Sequence, residues 1–241
     1  MPDALFLDFD GTLVEIVGRP DAVAVDPSLP GILTRLRERL GGALALVSGR
    51  PVATLDGFLD PFSGDAAGLH GVEHRIGGHF FPCDPQAHPA LRRGVDRLRD
   101  AVAGWPGVLV EDKGCSVALH WRLAPGHAAE AHRLMQELAG DLGGSYRLQG
   151  GKAVAEILPA FAGKGPIIER FMQEPPYRGR RPVFIGDDLT DENGFAVVNH
   201  LGGLSVRIGG GESIAAVHLP DPTSLRAALA RWAELGRVDL G

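Results

Sequence analysis

A short apolar strand that ends in two carboxylates constrains this chain more than any other feature of its sequence. Residues 4–7 form an uninterrupted apolar run, and Asp8 and Asp10 follow it closely. Such a run predicts a strand buried on both faces of a parallel sheet. Carboxylates at the end of a buried strand need a cation or backbone N–H groups to compensate them. Because ligands bind at the carboxyl ends of parallel strands, this pattern predicts a ligand site at that edge of the sheet.

The same pattern returns twice further along the chain. The apolar run 43–47 ends in Ser48, and the run 183–185 leads to Asp187. Taken singly these signals are weak, because an Asp-Gly pair often marks only a turn and a serine after a strand is often only an N-cap. Their repetition predicts an α/β fold with a parallel sheet whose strand ends meet at one site.

The residue types at the predicted site suit phosphoryl transfer. The carboxylates of Asp8 and Asp187 come from two strand ends and suit Mg²⁺, which binds a few hard oxygen ligands and keeps water or a substrate phosphate for the rest. Lys164 follows Gly163 at the start of a predicted helix, where a cation and helix N–H groups can hold an anion, although a lone lysine there is more often a solvated charge. With the hydroxyl of Ser48, these groups form a cradle for a phosphoryl group.

Residues 79–158 break the alternation of strands and helices and predict a second, inserted domain. The order there is helix, two strands, helix, two strands, with helices over about 89–103 and 127–142. We therefore expect a catalytic core of residues 1–78 and 159–241, with 79–158 inserted as a cap, or lid.

The predicted strands of the inserted domain have one apolar face and one polar face. Alternate residues such as Val117, Leu119 and Ile157 share the apolar face, which must pack on the two helices. Lys152 and Glu156 are four apart in one predicted strand and so share the polar face. By default such a face is simply exposed to water, but it can also bond the hydroxyls of a sugar. The substrate contacts predicted on it are Glu111, Lys113, His120, Arg122, Lys152 and Glu156.

Two stretches are predicted to lie outside regular structure. Residues 15–30 contain three prolines and suit a loop over the end of the first strand, and residues 77–85 resemble a linker. Three histidines precede or enter that linker, His70, His74 and His79. Their spacing does not suit a metal site on one helix face, which favours a surface or substrate role.

Composition and charge exclude several kinds of partner. With a formal charge of −6 and no cluster of Lys and Arg, the chain is not expected to bind nucleic acid. No apolar stretch is long enough to cross a bilayer and no signal peptide is apparent, so we expect a cytoplasmic protein without membrane contacts. Cys83 and Cys115 lack the spacing of a metal site and are interpreted as ordinary thiols. We expect a monomer or a weak oligomer.

In order and in residue type, these signals resemble the motifs of the haloacid-dehalogenase-like (HAD) superfamily. The combination is specific, although each motif alone is weak. The matching residues are 8–12, Ser48, Lys164 and 186–191. The resemblance implies a HAD-like Rossmannoid core with a parallel sheet and an inserted α+β cap of the C2 type.

The superfamily resemblance also implies roles for individual residues. Asp8 would be the nucleophile that forms an aspartyl-phosphate, and Asp10 the acid and later the base. Mg²⁺ would be held by Asp8, Asp10 and Asp187, with Asp188 and Asp191 hydrogen-bonded around these ligands or to metal-bound water. The implied catalytic residues are Asp8, Asp10, Ser48 and Lys164.

Within the superfamily the chain looks like the trehalose-6-phosphate phosphatase family. The resembling stretches lie in both predicted domains and include residues 47–50, 68–73, 118–122, 151–156 and 186–192. The resemblance implies trehalose 6-phosphate as substrate, and the further predicted substrate contacts are Arg50, His70 and Gly71. Two alternatives stay open. One is a phosphatase of another sugar phosphate, such as sucrose phosphate or mannosylphosphoglycerate, and the other is a non-catalytic partner of a trehalose-phosphate synthase.

Overall fold

The computed structural model describes residues 1–17 and 23–239, and the chain divides into two compact units. The first unit, here called the core, comprises Met1–Phe81 and Gly163–Gly241; the second, the insert, comprises Pro82–Ala162. These boundaries fall three and four residues beyond those expected from the sequence. The loop expected over residues 15–30 lies partly outside the described residues.

The first part of the core alternates strands and helices and ends in a hairpin. Its elements are β1 (Asp3–Leu7), α1 (Leu29–Arg39), β2 (Leu44–Val47), α2 (Val52–Leu59), β3 (Asp65–Gly68), β4 (Glu73–Ile76) and β5 (His79–Phe81). The linker predicted over residues 77–85 is wrong in its first half, because β5 pairs with β4 across Gly77 and Gly78. Both glycines have positive φ values, which glycine adopts without strain and which suit a tight hairpin turn.

The insert repeats the predicted order of helix, strand and strand. Its elements are α3 (Pro89–Val102), β6 (Leu109–Asp112), β7 (Val117–His120), α4 (Ala128–Leu142), β8 (Tyr146–Gly151) and β9 (Val154–Pro159). The strands form an antiparallel sheet in the order β6-β7-β9-β8.

The second part of the core returns to strand and helix alternation. Its elements are α5 (Lys164–Met172), β10 (Arg181–Gly186), α6 (Glu192–His200), β11 (Leu204–Ile208), β12 (Val217–Leu219) and α7 (Pro222–Leu235). Asp221 caps α7 by accepting a hydrogen bond from the amide of Ser224 at 2.7 Å. In the described part of the chain, no helix has the length and apolarity needed to cross a membrane.

One eight-stranded sheet organises the core, in the order β12-β11-β10-β1-β2-β3-β4-β5. Neighbours pair in parallel from β12 to β3, and the last two pairings are antiparallel. The register places Leu7 beside both Ile185 of β10 and Leu46 of β2. The residues that follow β10, β1 and β2 therefore meet at one edge of the sheet.

Apolar side chains cover β1 on both faces, which explains its unbroken apolar sequence. Leu5 and Leu7 belong to a buried cluster that includes residues of α1 and α7. Phe6 points into a second cluster with residues of α5 and α6. A strand buried on both sides cannot alternate with polar residues, so the predicted mixed α/β fold with a parallel sheet is confirmed.

The insert has its own apolar core on the face that the sequence predicts. Val117, Leu119 and Ile157 are fully buried and belong to one cluster with Leu91 of α3 and Met135 of α4. Burying such side chains contributes about 1.5–3 kcal/mol each, so this face supplies the insert with a hydrophobic core of its own.

Lys152 does not lie in a strand as predicted. Gly151 pairs with Val154, which leaves Lys152 and Ala153 as a two-residue turn between β8 and β9. Ala153 has a φ of +59° there, a left-handed conformation typical of tight hairpin turns. Lys152 is exposed at the turn, so the strand alternation that was expected to align it with Glu156 does not extend to it.

The interpretation of the two cysteines as thiols is also wrong. Cys83 and Cys115 form a disulfide, with their Cα atoms 6.2 Å apart. The turn between β6 and β7 brings them together, since Gly114 in that turn lies against Pro85, where an added Cβ would be 3.1 Å from Cγ of the proline. The bond therefore joins the first residues of the insert to its first hairpin.

We expect that loss of this disulfide destabilises the insert by about 3–4 kcal/mol, the chain-entropy value for a cross-link that closes a loop of this size. The two cysteines are 32 residues apart. The variant Cys83→Ser is preferred, because Cys115 is fully buried. Native-state hydrogen exchange of the Leu119 amide measures the opening free energy of the insert.

The amide of Leu7 in the core serves as the internal control for the same experiment and should keep its protection. The opening free energy at Leu119 in Cys83→Ser is compared with that in the wild type with its disulfide intact. A difference below about 1 kcal/mol would contradict the expected contribution of the cross-link.

Candidate active site

The carboxyl ends of β10, β1 and β2 bring together most of the residues predicted for the core. Asp8 follows β1 directly and is 4% exposed. Its amide donates a hydrogen bond to the carbonyl oxygen of Ile185 at 2.9 Å, which extends the pairing of β1 and β10 to the strand end. Asp8 is thus fixed in the backbone beside the segment that carries Asp187.

Lys164 bridges two buried carboxylates. Its Nζ lies 2.7 Å from Oδ1 of Asp8 and 2.6 Å from Oδ1 of Asp191. Burial alone would lower the pKa of Lys164, but the carboxylates of Asp191 and Asp8 outweigh that effect and raise the pKa above its ordinary value. The amine is therefore a fixed positive charge at the site.

Asp187 faces Asp8 across Thr12. The hydroxyl Oγ1 of Thr12 lies 3.3 Å from Oδ2 of Asp8 and 3.3 Å from Oδ1 of Asp187. Gly11 allows this approach, since a Cβ there would lie only 2.2 Å from the Asp187 carboxylate. Burial and the neighbouring carboxylate of Asp191 raise the pKa of Asp187 to about 6.

Asp191 is fully buried and accepts hydrogen bonds on both of its carboxylate oxygens. Its Oδ2 accepts hydrogen bonds from the amides of Asp187 and Asp188 at 3.0 and 2.9 Å, and its Oδ1 faces Lys164. Asp191 therefore holds the backbone that carries Asp187 and the amine that faces Asp8. Asp188 instead caps the short helical turn that follows it.

The donor set at this edge fits a hard divalent cation. Carboxylate oxygens of Asp8, Asp187 and Asp191 all lie within 4.8 Å of one another, and Lys164 supplies one positive charge against these three acids. Burial raises the pKa of Asp8 well above its ordinary value; Lys164 opposes that shift, and the carboxylates of Asp191 and Asp187 add to it. A bound cation would offset the repulsion among these three carboxylates. Mg²⁺ prefers oxygen ligands of this kind.

The side chain of Asp10, which the resemblance predicts as a metal ligand, is paired with Arg50. Its carboxylate does not belong to the cluster of Asp8, Asp187 and Asp191. Instead Arg50 binds both of its oxygens, through Nε at 2.6 Å and Nη2 at 2.7 Å. A two-pronged guanidinium–carboxylate pair of this kind fixes the carboxylate in one orientation.

Arg50 is itself held by aromatic rings and by the turn after β2. Its guanidinium carbon lies 5.6 Å from the ring centre of Phe9 and 5.1 Å from that of Phe58, within cation–π range. Its amide donates a hydrogen bond to Oγ of Ser48 at 3.2 Å. Ser48 is 1% exposed, so its hydroxyl shapes the turn from inside.

His70 and Gly71 connect the turn after β2 to the start of α5. The amide of His70 donates to the carbonyl of Ser48 at 2.9 Å, and its carbonyl accepts from the amide of Gly163 at 2.8 Å. His70 has a φ of +56°. A Cβ at Gly71 would lie 2.8 Å from Cβ of Ile167, so glycine lets this segment pack directly on α5. These two predicted substrate contacts thus support the position of Lys164.

The substrate contacts predicted on the insert cluster around Glu156, which is 8% exposed. Its Oε1 accepts hydrogen bonds from Nζ of Lys113 at 3.2 Å and from Oγ of Ser116 at 2.8 Å. Beside them, Oε2 of Glu111 lies 2.8 Å from Nε2 of His120. The predicted set omits Ser116, although its place on the polar face was visible from strand alternation.

The other two predicted contacts on the insert, Arg122 and Lys152, meet at the turn between β8 and β9. Nη2 of Arg122 donates to the backbone carbonyl of Lys152 at 3.2 Å. Arg122 therefore contacts the backbone of the turn and not the side chain of Lys152. In the core, the role of Thr12 was also missed, although Thr12 belongs to the first motif; only the fold shows that it faces Asp187.

Residues 6–221 match the sequence profile of the trehalose-phosphatase family. A probable trehalose-phosphate phosphatase of Sinorhizobium fredii is 45% identical, over 96% of this chain and 88% of its own length. The trehalose-6-phosphate phosphatase of Escherichia coli is 44% identical, over 90% of this chain and 81% of its own length.

The fold has a counterpart among more distant solved structures. A haloacid dehalogenase-like hydrolase from Bacteroides thetaiotaomicron superposes with a TM-score of 0.65, over 94% of this chain and 98% of its own. At 16% identity this likeness concerns the fold alone.

Proposed function

We propose, because this chain belongs to the trehalose-phosphatase family, that it hydrolyses trehalose 6-phosphate to trehalose and phosphate through an aspartyl-phosphate on Asp8. The resemblance to this family and to the HAD fold is confirmed. The observation that carries the proposed mechanism is the ion pair of Asp8 and Lys164, both nearly fully buried. Lys164 opposes the rise in the pKa of Asp8 that burial causes, and so favours the charged carboxylate that nucleophilic attack requires.

In the proposed first step, an oxygen of Asp8 forms a bond to phosphorus while the bond from phosphorus to the sugar oxygen breaks. The departing sugar oxygen takes a proton from Asp10. In the second step, Asp10 accepts a proton from water, the water oxygen attacks phosphorus, and the bond to Asp8 breaks. Trehalose leaves after the first step and inorganic phosphate after the second.

The pairing of Asp10 with Arg50 adds a condition to this scheme. While Arg50 binds both oxygens of Asp10, neither oxygen is free to face the leaving group. A phosphate dianion competes for the same guanidinium. We therefore assign Arg50 a substrate-binding role, in which the incoming phosphate draws Arg50 away and frees Asp10 for proton transfer.

The proposed Mg²⁺ ligands are the carboxylates of Asp8 and Asp187. Asp191 positions them by binding the amide of Asp187 and the amine of Lys164. Bound there, Mg²⁺ would neutralise charge on the phosphoryl oxygens. Lys164 meanwhile holds Asp8 in place, and Thr12 keeps the two carboxylates at a fixed separation.

Removal of divalent cations is expected to lower phosphate release from trehalose 6-phosphate by at least about 100-fold, because Lys164 alone cannot balance the carboxylates of Asp8, Asp187 and Asp191 and the incoming phosphate. The assay is phosphate release after exhaustive chelation and again after Mg²⁺ is added back. Asp187→Asn should raise the Mg²⁺ concentration for half-maximal activity about 10- to 100-fold. Asp100→Asn, an exposed change on α3, is the matched control. Full activity in chelated enzyme would refute a metal-dependent reaction.

The proposed seat of sugar specificity is the polar cluster on the insert formed by Glu156, Lys113 and Ser116. Their mutual bonds fix three polar side chains on one face of a rigid sheet. Such a face can bond several hydroxyls of a disaccharide without much loss of side-chain entropy. Lys152, at an exposed turn, has no such support and is a weaker candidate than the sequence suggested.

Glu156→Gln is expected to lower kcat/KM for trehalose 6-phosphate by about 1–3 kcal/mol, roughly 5- to 150-fold, because it weakens bonds to both Lys113 and the sugar. Hydrolysis of p-nitrophenyl phosphate, which lacks the disaccharide, should change less than about threefold. Glu137→Gln, an exposed change on α4, controls for the loss of one charge. Equal losses on both substrates, in a variant whose circular dichroism is that of the wild type, would reject this assignment.

A further inference from the structure

A cavity of about 390 Å³ lies at the edge of the core sheet opposite Asp8. It is lined where β1 and β10 begin and where α1 and α7 end, from Asp3 and Arg181 to Arg39 and Gly236. A strand rises about 3.3 Å per residue, so roughly 16 Å of β1 separates this cavity from Asp8. The cavity is therefore distinct from the candidate active site.

Arginine side chains dominate the charged lining of the cavity. The four guanidinium groups are those of Arg39, Arg180, Arg181 and Arg237. Among the described residues, the side-chain carboxylates of the lining are those of Asp3 and Asp239, which leaves an excess of two positively charged side chains in a chain of formal charge −6. A local reversal of sign inside a concave surface concentrates small anions.

Two of the four arginines are held in place by the fold. Nε of Arg181 donates to Oδ1 of Asp3 at 2.9 Å, which makes a neutral pair. Arg180 donates to the carbonyl oxygens of Pro176 and Asp3 at 2.7 and 3.2 Å. Carbonyl groups orient this guanidinium but leave its positive charge in place.

The other two arginines are loosely held. Arg237 has a 71% exposed side chain, and its Nη2 lies 3.6 Å from Oδ2 of Asp239, too far for a hydrogen bond. Arg39 is exposed at the end of α1, and over residues 1–17 and 23–239 its side chain has no hydrogen-bond or ion-pair partner. Both guanidinium groups can turn toward a ligand at little cost.

The carboxyl ends of two helices disfavour an anion at the cavity, but they do not reverse its net positive charge. The carboxyl ends of α1 and α7 lie at the cavity. Each carries a partial charge of about −0.5, so together they contribute about one negative unit. The excess of two positive side chains is larger, and the field at the cavity stays positive.

We propose that this cavity is a binding site for a small phosphate-type dianion, either inorganic phosphate or the phosphoryl group of a sugar phosphate. Its volume lies in the range of small-molecule sites. Planar guanidinium groups bind phosphate oxygens through paired N–H donors, which matches the four arginines of the lining.

The test is an NMR titration of the full chain with inorganic phosphate at constant ionic strength. The amides of Gly236 and Val238 report the cavity, and those of Gly11 and Gly186 report the active-site edge. We expect saturable shifts at Gly236 and Val238 in the wild type. The double variant Arg39→Gln/Arg237→Gln should bind at least tenfold more weakly there, with the shifts at Gly11 and Gly186 unchanged.

A matched control removes the same two charges elsewhere, at the exposed Arg92 and Arg93 of α3. This Arg92→Gln/Arg93→Gln protein should bind phosphate at the cavity like the wild type. The charge-preserving Arg39→Lys/Arg237→Lys protein should bind phosphate with an affinity between those of the wild type and the glutamine double variant. Lysine keeps the positive charge but lacks the paired N–H donors of the guanidinium. The proposal is overturned if Gly236 and Val238 show no saturable shift, or if the glutamine double variant binds there like the wild type.

A second titration, with glucose 6-phosphate, distinguishes the two sources of the phosphoryl group. Tighter binding than inorganic phosphate at Gly236 and Val238 assigns the cavity to a sugar phosphate, and equal binding assigns it to the phosphate ion. Either result supports the site, whereas shifts confined to Gly11 and Gly186 with both probes overturn it.

Discussion

Asp8→Asn is expected to abolish turnover of trehalose 6-phosphate, with kcat at least about 10⁴-fold lower, because an amide cannot form the bond to phosphorus. The fold should survive this change. Burial disfavours the charged form of Asp8. Asparagine has the same shape without the charge, so the substitution removes the desolvation cost of the carboxylate together with its ion pair with Lys164. We expect an unchanged or slightly higher melting temperature in metal-free buffer.

Two measurements check this result. Rapid quenching with ³²P-labelled substrate should trap a phosphoenzyme in the wild type and none in Asp8→Asn. Asp100→Asn, exposed on α3, should match the wild type in both rate and trapping. A folded Asp8→Asn protein that releases phosphate at the wild-type rate would leave the nucleophile unassigned and would revive the alternative of a non-catalytic partner protein.

Lys164→Met is expected to have the largest effect on stability, about 3–5 kcal/mol less free energy of unfolding. Removing the amine leaves the buried carboxylates of Asp8 and Asp191 without a counter-charge, which costs more than the loss of an exposed ion pair. Turnover should fall by about 10³-fold or more, because Asp8 is then less often ionised and less well held. Urea unfolding in EDTA measures the stability term.

A double-mutant cycle separates the charge effect from simple loss of packing. Adding Asp191→Asn to Lys164→Met removes one of the unpaired charges and should restore about 1–2 kcal/mol, so the two changes are not additive. Lys152→Met, at an exposed turn, should stay within about 0.5 kcal/mol of the wild type. Additive losses in the cycle would mean that Lys164 acts through packing alone.

The sequence was informative wherever a strand is buried on both faces. The runs at residues 4–7 and 183–185 have no polar interruption because side chains pack against both sides of β1 and β10. Since parallel neighbours start and end together, the polar residues after these runs had to share an edge. Local pattern therefore sufficed to gather Asp8 and Asp187, whereas the contact of Lys164 with Asp8 depends on where α5 begins.

Contacts that depend on a single turn were not predictable in the same way. The position of Lys152 depends on which two residues form the turn after β8. A shift of the strand register by one residue would move the side chains of the strand to the opposite face of the sheet. Cys83 and Cys115 meet because a turn at Gly114 lies on Pro85. The pairing of Arg50 with Asp10 depends on ring positions of Phe9 and Phe58 that no spacing encodes.

The pairing of β1 with β10 has a consequence for how the chain is made. Asp3 and Leu7 lie beside Arg181 and Ile185, so β1 must wait for a partner that the ribosome adds some 178 residues later. At about 5–20 residues per second this takes roughly 10–35 s. During that time the strand that carries Asp8 presents one open, apolar edge to the crowded cell, the kind of edge that invites mispairing. A nascent chain that ends before β10 therefore lacks the strand that fixes the backbone of Asp8.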